Sequence, residues 1–152
     1  MHLGRMPPAG GCVPAHLKER SNARVFVFNT HFDHRGEEAR RQSARLILKK
    51  IREINPNGLP AVLCGDFNLA PTTEAIALIG SELKDAFRVS ELPPHGSVAT
   101  FHGFTYDDPP QDRIDYVFVS KEVAVERYGA LTESRDRSFF SDHLPVLVTL
   151  RF

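Results

Sequence analysis

The stretch Ala61-Val62-Leu63-Cys64-Gly65-Asp66-Phe67-Asn68-Leu69-Ala70-Pro71 decides how this chain is read. Its opening residues are apolar without alternation, which marks a strand covered on both faces. A carboxylate, Asp66, and a carboxamide, Asn68, follow at once, so polar chemistry stands at the mouth of a buried strand. Pro71 then opens a predicted short helix through Ile79, with Gly80 placed to end it.

Upstream, Arg24 to Thr30 is apolar on both alternating faces and reads as a second buried strand. A helical pattern runs from Glu37 to about Ile54, with Ala44, Ile47, Leu48, Ile51 and Ile54 on one stripe. Acidic residues open that helix and Lys49, Lys50 and Arg52 close it, in accord with its dipole. Its basic face reads as a solvated surface. Asn55-Pro56-Asn57-Gly58 is a turn cluster. Residues 84 to 112 read as loop, broken by one short strand, Val98 to Phe101. Ile114 to Val119, Val123 to Tyr128 and Pro145 to Phe152 complete the predicted strands. Helices and strands alternate early and strands cluster late, so the fold class is α/β, a mixed sheet with helices on one face.

The chain has 152 residues, enough for one domain with a real core. Nineteen basic residues balance nineteen acidic ones, so net charge argues for no particular partner. Two cysteines, Cys12 and Cys64, provide neither a disulfide framework nor a metal spacing, and Cys64 reads as a small buried thiol. No apolar run approaches the roughly 20 residues that span a bilayer, and residues 1 to 23 show no secretion signal. The default expectation is a cytoplasmic protein whose first 23 residues are irregular and whose domain runs from 24 to 152.

Polar clusters fall at the ends of the apolar strands: Asn29-Thr30-His31, Asp66 with Asn68, Asp115, and Ser141-Asp142-His143. Ligands of open α/β sheets bind where such ends converge. Taken singly, Asp-x-Asn is equally a turn or cap, and His31 reads better as a structural histidine than as a functional one. Asp115 resists a bland reading. Inside Ile114-Asp115-Tyr116-Val117-Phe118-Val119 it costs several kcal/mol, on the order of an unpaired buried charge, unless a partner satisfies it. A histidine held in one tautomer is the natural partner, and His143 is the leading candidate. Aspartate, asparagine and histidine without a nucleophilic serine or cysteine point to metal-assisted attack by water on a phosphate ester. A transition-metal reading of His31-Phe32-Asp33-His34 is weakened by strand alternation, which puts His31 and Asp33 on one face and His34 on the other.

Gly65-Asp66-Phe67-Asn68 with Asn29-Thr30-His31, Arg113-Ile114-Asp115-Tyr116 and Ser141-Asp142-His143-Leu144-Pro145, in this order, resembles the endonuclease/exonuclease/phosphatase superfamily. The resemblance covers about Arg24 to Phe152 and implies half of a DNase I-like four-layer α/β sandwich. It implies catalytic roles for His31, Asp66, Asn68, Asp115 and His143. Asp66 would align the attacking water, and Asn68 would hold water and phosphate. His143, oriented by Asp115, would act as base or phosphate contact. His31 would face the phosphate from the other side, supported by Asn29. Asp142 and Asp66 would hold Mg2+ or Mn2+, and the substrate would be a phosphate ester, either nucleic acid or a small phosphodiester.

The resemblance also implies that this chain matches only the second half of the family domain. No match to the metal-binding glutamate of the first half is found, since Glu19, Glu37 and Glu38 lie too near the His31 strand. The expectation is therefore a fragment with one sheet face bare. At about 25 cal/mol per Å2 a bare face forfeits many kcal/mol against net stabilities of about 5–15, and self-association through that exposed face follows. The alternative is a truncated, non-catalytic remnant. Phe101-His102-Gly103-Phe104-Thr105-Tyr106 reads equally as a substrate wall and as loop packing.

Overall fold

The computed structural model describes residues 24–152. Residues 1–23, expected from the sequence to be irregular, and Cys12 among them lie outside the described residues. In chain order the elements are β1 (Phe26–His31), α1 (Glu37–Ile54), β2 (Ala61–Asp66), α2 (Glu74–Glu82), β3 (Lys84–Asp85), α3 (Ala86–Val89), β4 (His95–Gly96), β5 (Asp115–Val119), β6 (Ala124–Ala130) and β7 (Val146–Arg151).

They form two sheets, one of order β1-β2-β5-β3 and one of order β4-β6-β7. In the first, β1 and β2 run parallel and β5 returns antiparallel to β2. Period-two alternation divides each strand between two cores. Phe28, Leu63, Tyr116 and Phe118 face the helices and pack with Ala44, Ile47 and Leu48 of α1 and Ile76 and Ile79 of α2. Val62, Val117 and Val119 face the other way, onto Val123, Val125 and Tyr128, with Val146, Val148 and Leu150 alongside.

The second core corrects one expectation. The face opposite the helices is not bare along its middle, because β6 and β7 fold back over it and bury the β2 and β5 valines. What stays open is peripheral: Val25 and Val27 are only partly buried, and Leu147 of the outer strand β7 is 61% exposed.

Local differences have simple causes. α2 begins at Glu74 and runs through Gly80 to Glu82, so Pro71 belongs to the preceding turn. One glycine in a helix costs about 1 kcal/mol, less than the burial of Ile76 and Ile79 returns. The predicted strand Val98–Phe101 is not a sheet strand; only Phe101 forms isolated bridges, to Asp112 and His143. β3 and α3 fall in a stretch read as loop, where short elements lack periodicity. Four basic residues of α1 are paired on the surface, Arg41 with Glu38, Lys49 and Lys50 with Glu53, and Arg52 with Glu82. That is the solvated face expected, and such pairs contribute little.

Phe67 shows how packing places polar groups. Its ring is fully buried and meets Phe32, Tyr116 and Phe118 at centroid distances of 4.9, 5.4 and 5.6 Å. Anchoring this ring fixes the backbone on either side, where Asp66 and Asn68 stand. Phe67→Ala is expected to lose about 3–5 kcal/mol, a large part of total stability, read as a drop in the urea unfolding midpoint.

Candidate active site

Strand register brings the first three groups together. His31 lies opposite Asp66 in the β1–β2 pairing, and Asp66 lies opposite Asp115 in the β2–β5 pairing. Three adjacent strands therefore end or begin at one level with a polar side chain each. Gly65 permits the close β1–β2 approach there: its φ is 139°, and an added Cβ would fall 1.8 Å from the Thr30 carbonyl oxygen. Only glycine tolerates both conditions.

Asp66 is the hub. Its Oδ1 accepts the Asn68 backbone N–H at 2.8 Å, and the Asn68 amide donates to Phe32 O at 2.9 Å and to Asp66 Oδ2 at 3.3 Å. Asn68 holds a left-handed φ of 50°, which asparagine tolerates better than most residues. His31 Nε2 lies 3.3 Å from Asp66 Oδ2, with its own side chain 72% exposed. His143 Nε2 approaches the same oxygen at 3.8 Å.

On its other side His143 Nδ1 lies 2.8 Å from Asp115 Oδ2, the pairing anticipated for Asp115. An Asp115 carboxylate accepting from Nδ1 leaves Nε2 facing Asp66 and the cleft. Burial pulls the imidazole down, but the hydrogen bond and charge of Asp115, with the charges of Asp66 and Asp142, carry His143 above its ordinary value. Asp66 is likewise pushed up, first by burial and then by the charge of Asp115, against the Asn68 backbone hydrogen bond.

Asp66, Asp115 and His143 each offer a ligand atom within 4.8 Å of the other two, a group able to hold a divalent cation. The Asp142 carboxylate is not in that group; its nearest hydrogen-bond partner is the Ser141 hydroxyl at 3.4 Å. Its backbone carbonyl accepts the N–H groups of His102 and Gly103. Asn29, Cys64, Asp66, Asp115, Ser141 and His143 line an open cleft of roughly 340 Å3. Asn29 thus sits on the cleft wall, and Cys64 is half-buried there rather than enclosed. His34 joins no metal-ligating group among the described residues, and Asp33 instead accepts the backbone N–H groups of Arg35 and Gly36. The segment 101–106 divides between the two readings offered for it: His102 is buried against Phe139 at 4.1 Å, while Phe104 and Tyr106 are exposed.

Two supports were given no role by the sequence, although Arg113 stands in the motif Arg113-Ile114-Asp115-Tyr116. Arg113 grips Asp85 with both guanidinium nitrogens, at 3.1 and 2.7 Å, between the rings of Phe87 and Tyr116. This buried fork anchors the chain two residues before Asp115. Thr100, in a loop-rich stretch, is wholly buried and bonded to the backbone of Asp115 and of Leu144, next to His143.

Because the folded-state pKa of His143 is raised, its contribution to stability is complete below the ordinary imidazole value and is lost as pH rises through the raised one. Asp115→Asn removes the charge that raises it. The imidazole should then titrate at lower pH than in the wild type, as read by NMR of the metal-free protein.

The sequence profile of the Endonuclease/Exonuclease/phosphatase family matches residues 3–143. Among curated proteins no match is found. Of solved structures, a mannosyl-6-phosphatase from Bacteroides thetaiotaomicron VPI-5482 is 34% identical, with a TM-score of 0.79 over 87% of this chain and 53% of its own. A Bacteroides vulgatus endonuclease/exonuclease/phosphatase is 37% identical, with a TM-score of 0.77 over 86% of this chain and 51% of its own. The human Nocturnin catalytic domain, at 24% identity and a TM-score of 0.69 over 88% of this chain and 49% of its own, shares the fold. The chain spans about half the length of these structures. On the profile match and the agreement with relatives above 30% identity, this chain belongs to the endonuclease/exonuclease/phosphatase family.

Proposed function

We propose that this chain carries the phosphate-binding and proton-transfer part of a metal-dependent phosphoesterase. The observation that carries the reading is the Asp115–His143–Asp66 relay, in which one imidazole is oriented by a carboxylate at 2.8 Å and aims its free nitrogen at another. Such an imidazole can take a proton from water or steady a phosphoryl oxygen. Asp66 and Asn68 orient the attacking water, and His31, exposed on the opposite side of Asp66, meets the phosphate or its leaving group. Asn29 borders the same cleft. Because a similar structure is that of a mannosyl-6-phosphatase, sugar phosphates are the first substrates to test, followed by nucleic acid and small phosphodiesters.

The donor set fits a hard divalent cation. Asp66 is half-buried and strained toward protonation by its surroundings and by Asp115, a condition that a nearby positive charge relieves. Mg2+ and Mn2+ favour such carboxylate oxygens. Asp66, with Asp115 and His143 beside it, would hold the ion, Asp142 being the further carboxylate that the family resemblance implies, and the ion would supply Lewis-acid polarisation of the phosphoryl oxygen. Residues 24–152 would form one half of a domain whose other half completes the metal site. Self-association would use what remains exposed of the sheet face, around Val25, Val27 and Leu147.

Two outcomes test the reading. Millimolar Mg2+ or Mn2+ should raise the melting temperature, approaching the stabilisation of about 2.7 kcal/mol given by a ligand at a hundred times its Kd, and Asp66→Asn should abolish that rise. In a panel of phosphate esters with Mg2+, His143→Ala should lower turnover about 10^2–10^4-fold, the usual worth of a general acid–base group. A well-folded chain that turns over none of the panel, even when supplied with the first half of a family member, would leave the non-catalytic remnant as the answer.

A further inference from the structure

We propose that Thr100 is the positioning residue that sets the Asp115–His143 pair, an inference that rests on the proton-transfer reading of that pair. Asp115 opens β5 in the four-stranded sheet, whereas His143 precedes β7 in the three-stranded sheet. Two groups on separate sheets reach 2.8 Å only if something ties their segments together.

Thr100 makes the tie at both ends. Its Oγ1 accepts the backbone N–H of Ile114 at 3.2 Å and that of Asp115 at 3.1 Å. Its carbonyl accepts the Leu144 N–H at 2.7 Å, and its own N–H donates to the Asp112 carbonyl at 2.8 Å. One residue, with no exposed surface, therefore grips the chain entering Asp115 and the residue that follows His143. The following residues extend the clasp. Phe101 sets its ring edge-on against the His143 imidazole at 5.1 Å, and His102 and Gly103 donate to the Asp142 carbonyl.

The double acceptance has a geometric consequence. Successive N–H groups of an extended strand point to opposite sides. Those of Ile114 and Asp115 converge on one oxygen, so the hydroxyl holds a bend in the backbone directly before Asp115 enters the ladder. That bend fixes where the Asp115 carboxylate starts from. A methyl in place of the hydroxyl keeps the volume but leaves two buried N–H groups without an acceptor, and the bend is then free to relax.

Thr100→Val and Thr100→Ser separate the hydroxyl from the side-chain volume. The readout is the downfield 1H resonance of the imidazole N–H shared between His143 and Asp115, followed together with kcat and KM on phosphate esters. With valine the resonance should disappear or move upfield and kcat should fall about 10–100-fold with KM nearly unchanged, the signature of misplaced groups. Serine, which keeps the acceptor, should retain the resonance and most of the turnover despite any loss of thermal stability. A folded valine variant with the wild-type resonance would overturn the proposal, as would valine and serine variants that lose the resonance alike. Should the valine variant not fold, Thr100→Cys, with a weaker acceptor in nearly the same space, replaces it: a displaced resonance supports the role and an unmoved one overturns it. A chain that hydrolyses no ester while its resonance still follows the hydroxyl removes the proton-transfer reading and leaves the positioning of the pair intact.

Discussion

The register of β2 against its two neighbours is the constraint on which the rest depends. Because β1 runs parallel and β5 antiparallel to it, the carboxyl end of β1, the carboxyl end of β2 and the start of β5 meet at one edge of the sheet. A slip of one residue on either side would turn a polar side chain from this edge into one of the two apolar cores, where it would lie unpaired. The hydrophobic pattern thus protects the chemistry: Leu63, Phe67, Tyr116 and Phe118 hold register on the helix side while Val62, Val117 and Val119 hold it on the other.

The second sheet adds the remaining group. His143 is brought over Asp66 and Asp115 from a loop that leads into β7, so the site lies at a seam between two sheets rather than on one. A seam offers groups of independent origin within a few ångströms, and it also needs clasps. The buried Asp85–Arg113 fork secures the start of β5, and the 100–103 segment laces that start to the loop of Asp142 and His143. Removing one member of such a buried pair costs more than the pair itself contributes, because a stranded charge remains.

Electrostatics at the seam are unbalanced by design of the donor set. Asp66 and Asp115 face each other across the β2–β5 pairing, and His143 lies against both, its raised affinity for a proton reporting the same negative surroundings. Two carboxylates and an imidazole this close form a group able to hold a divalent cation, and that capacity is what the proposed phosphoesterase chemistry would draw on.

Sequence alone determined the local facts. Short-range patterns exposed the buried strands, the amphipathic stripe of α1, the polar residues at strand mouths and the anomaly of an aspartate within Ile114–Val119, since each depends on neighbours a few positions away. It also made His143 the leading candidate for the partner of Asp115, because a buried carboxylate needs a donor and an imidazole stands just before the last apolar strand. Tertiary structure decided what long-range packing controls: that β6 and β7 cover the face expected to be bare, that α2 runs through Gly80, that Asp115 rather than Asp142 joins Asp66 and His143, and that Thr100 links the two sheets. None of these has a local signature. A threonine hydroxyl in a loop is indistinguishable by pattern from any other, and its importance arises only when segments 14 and 44 positions downstream fold against it.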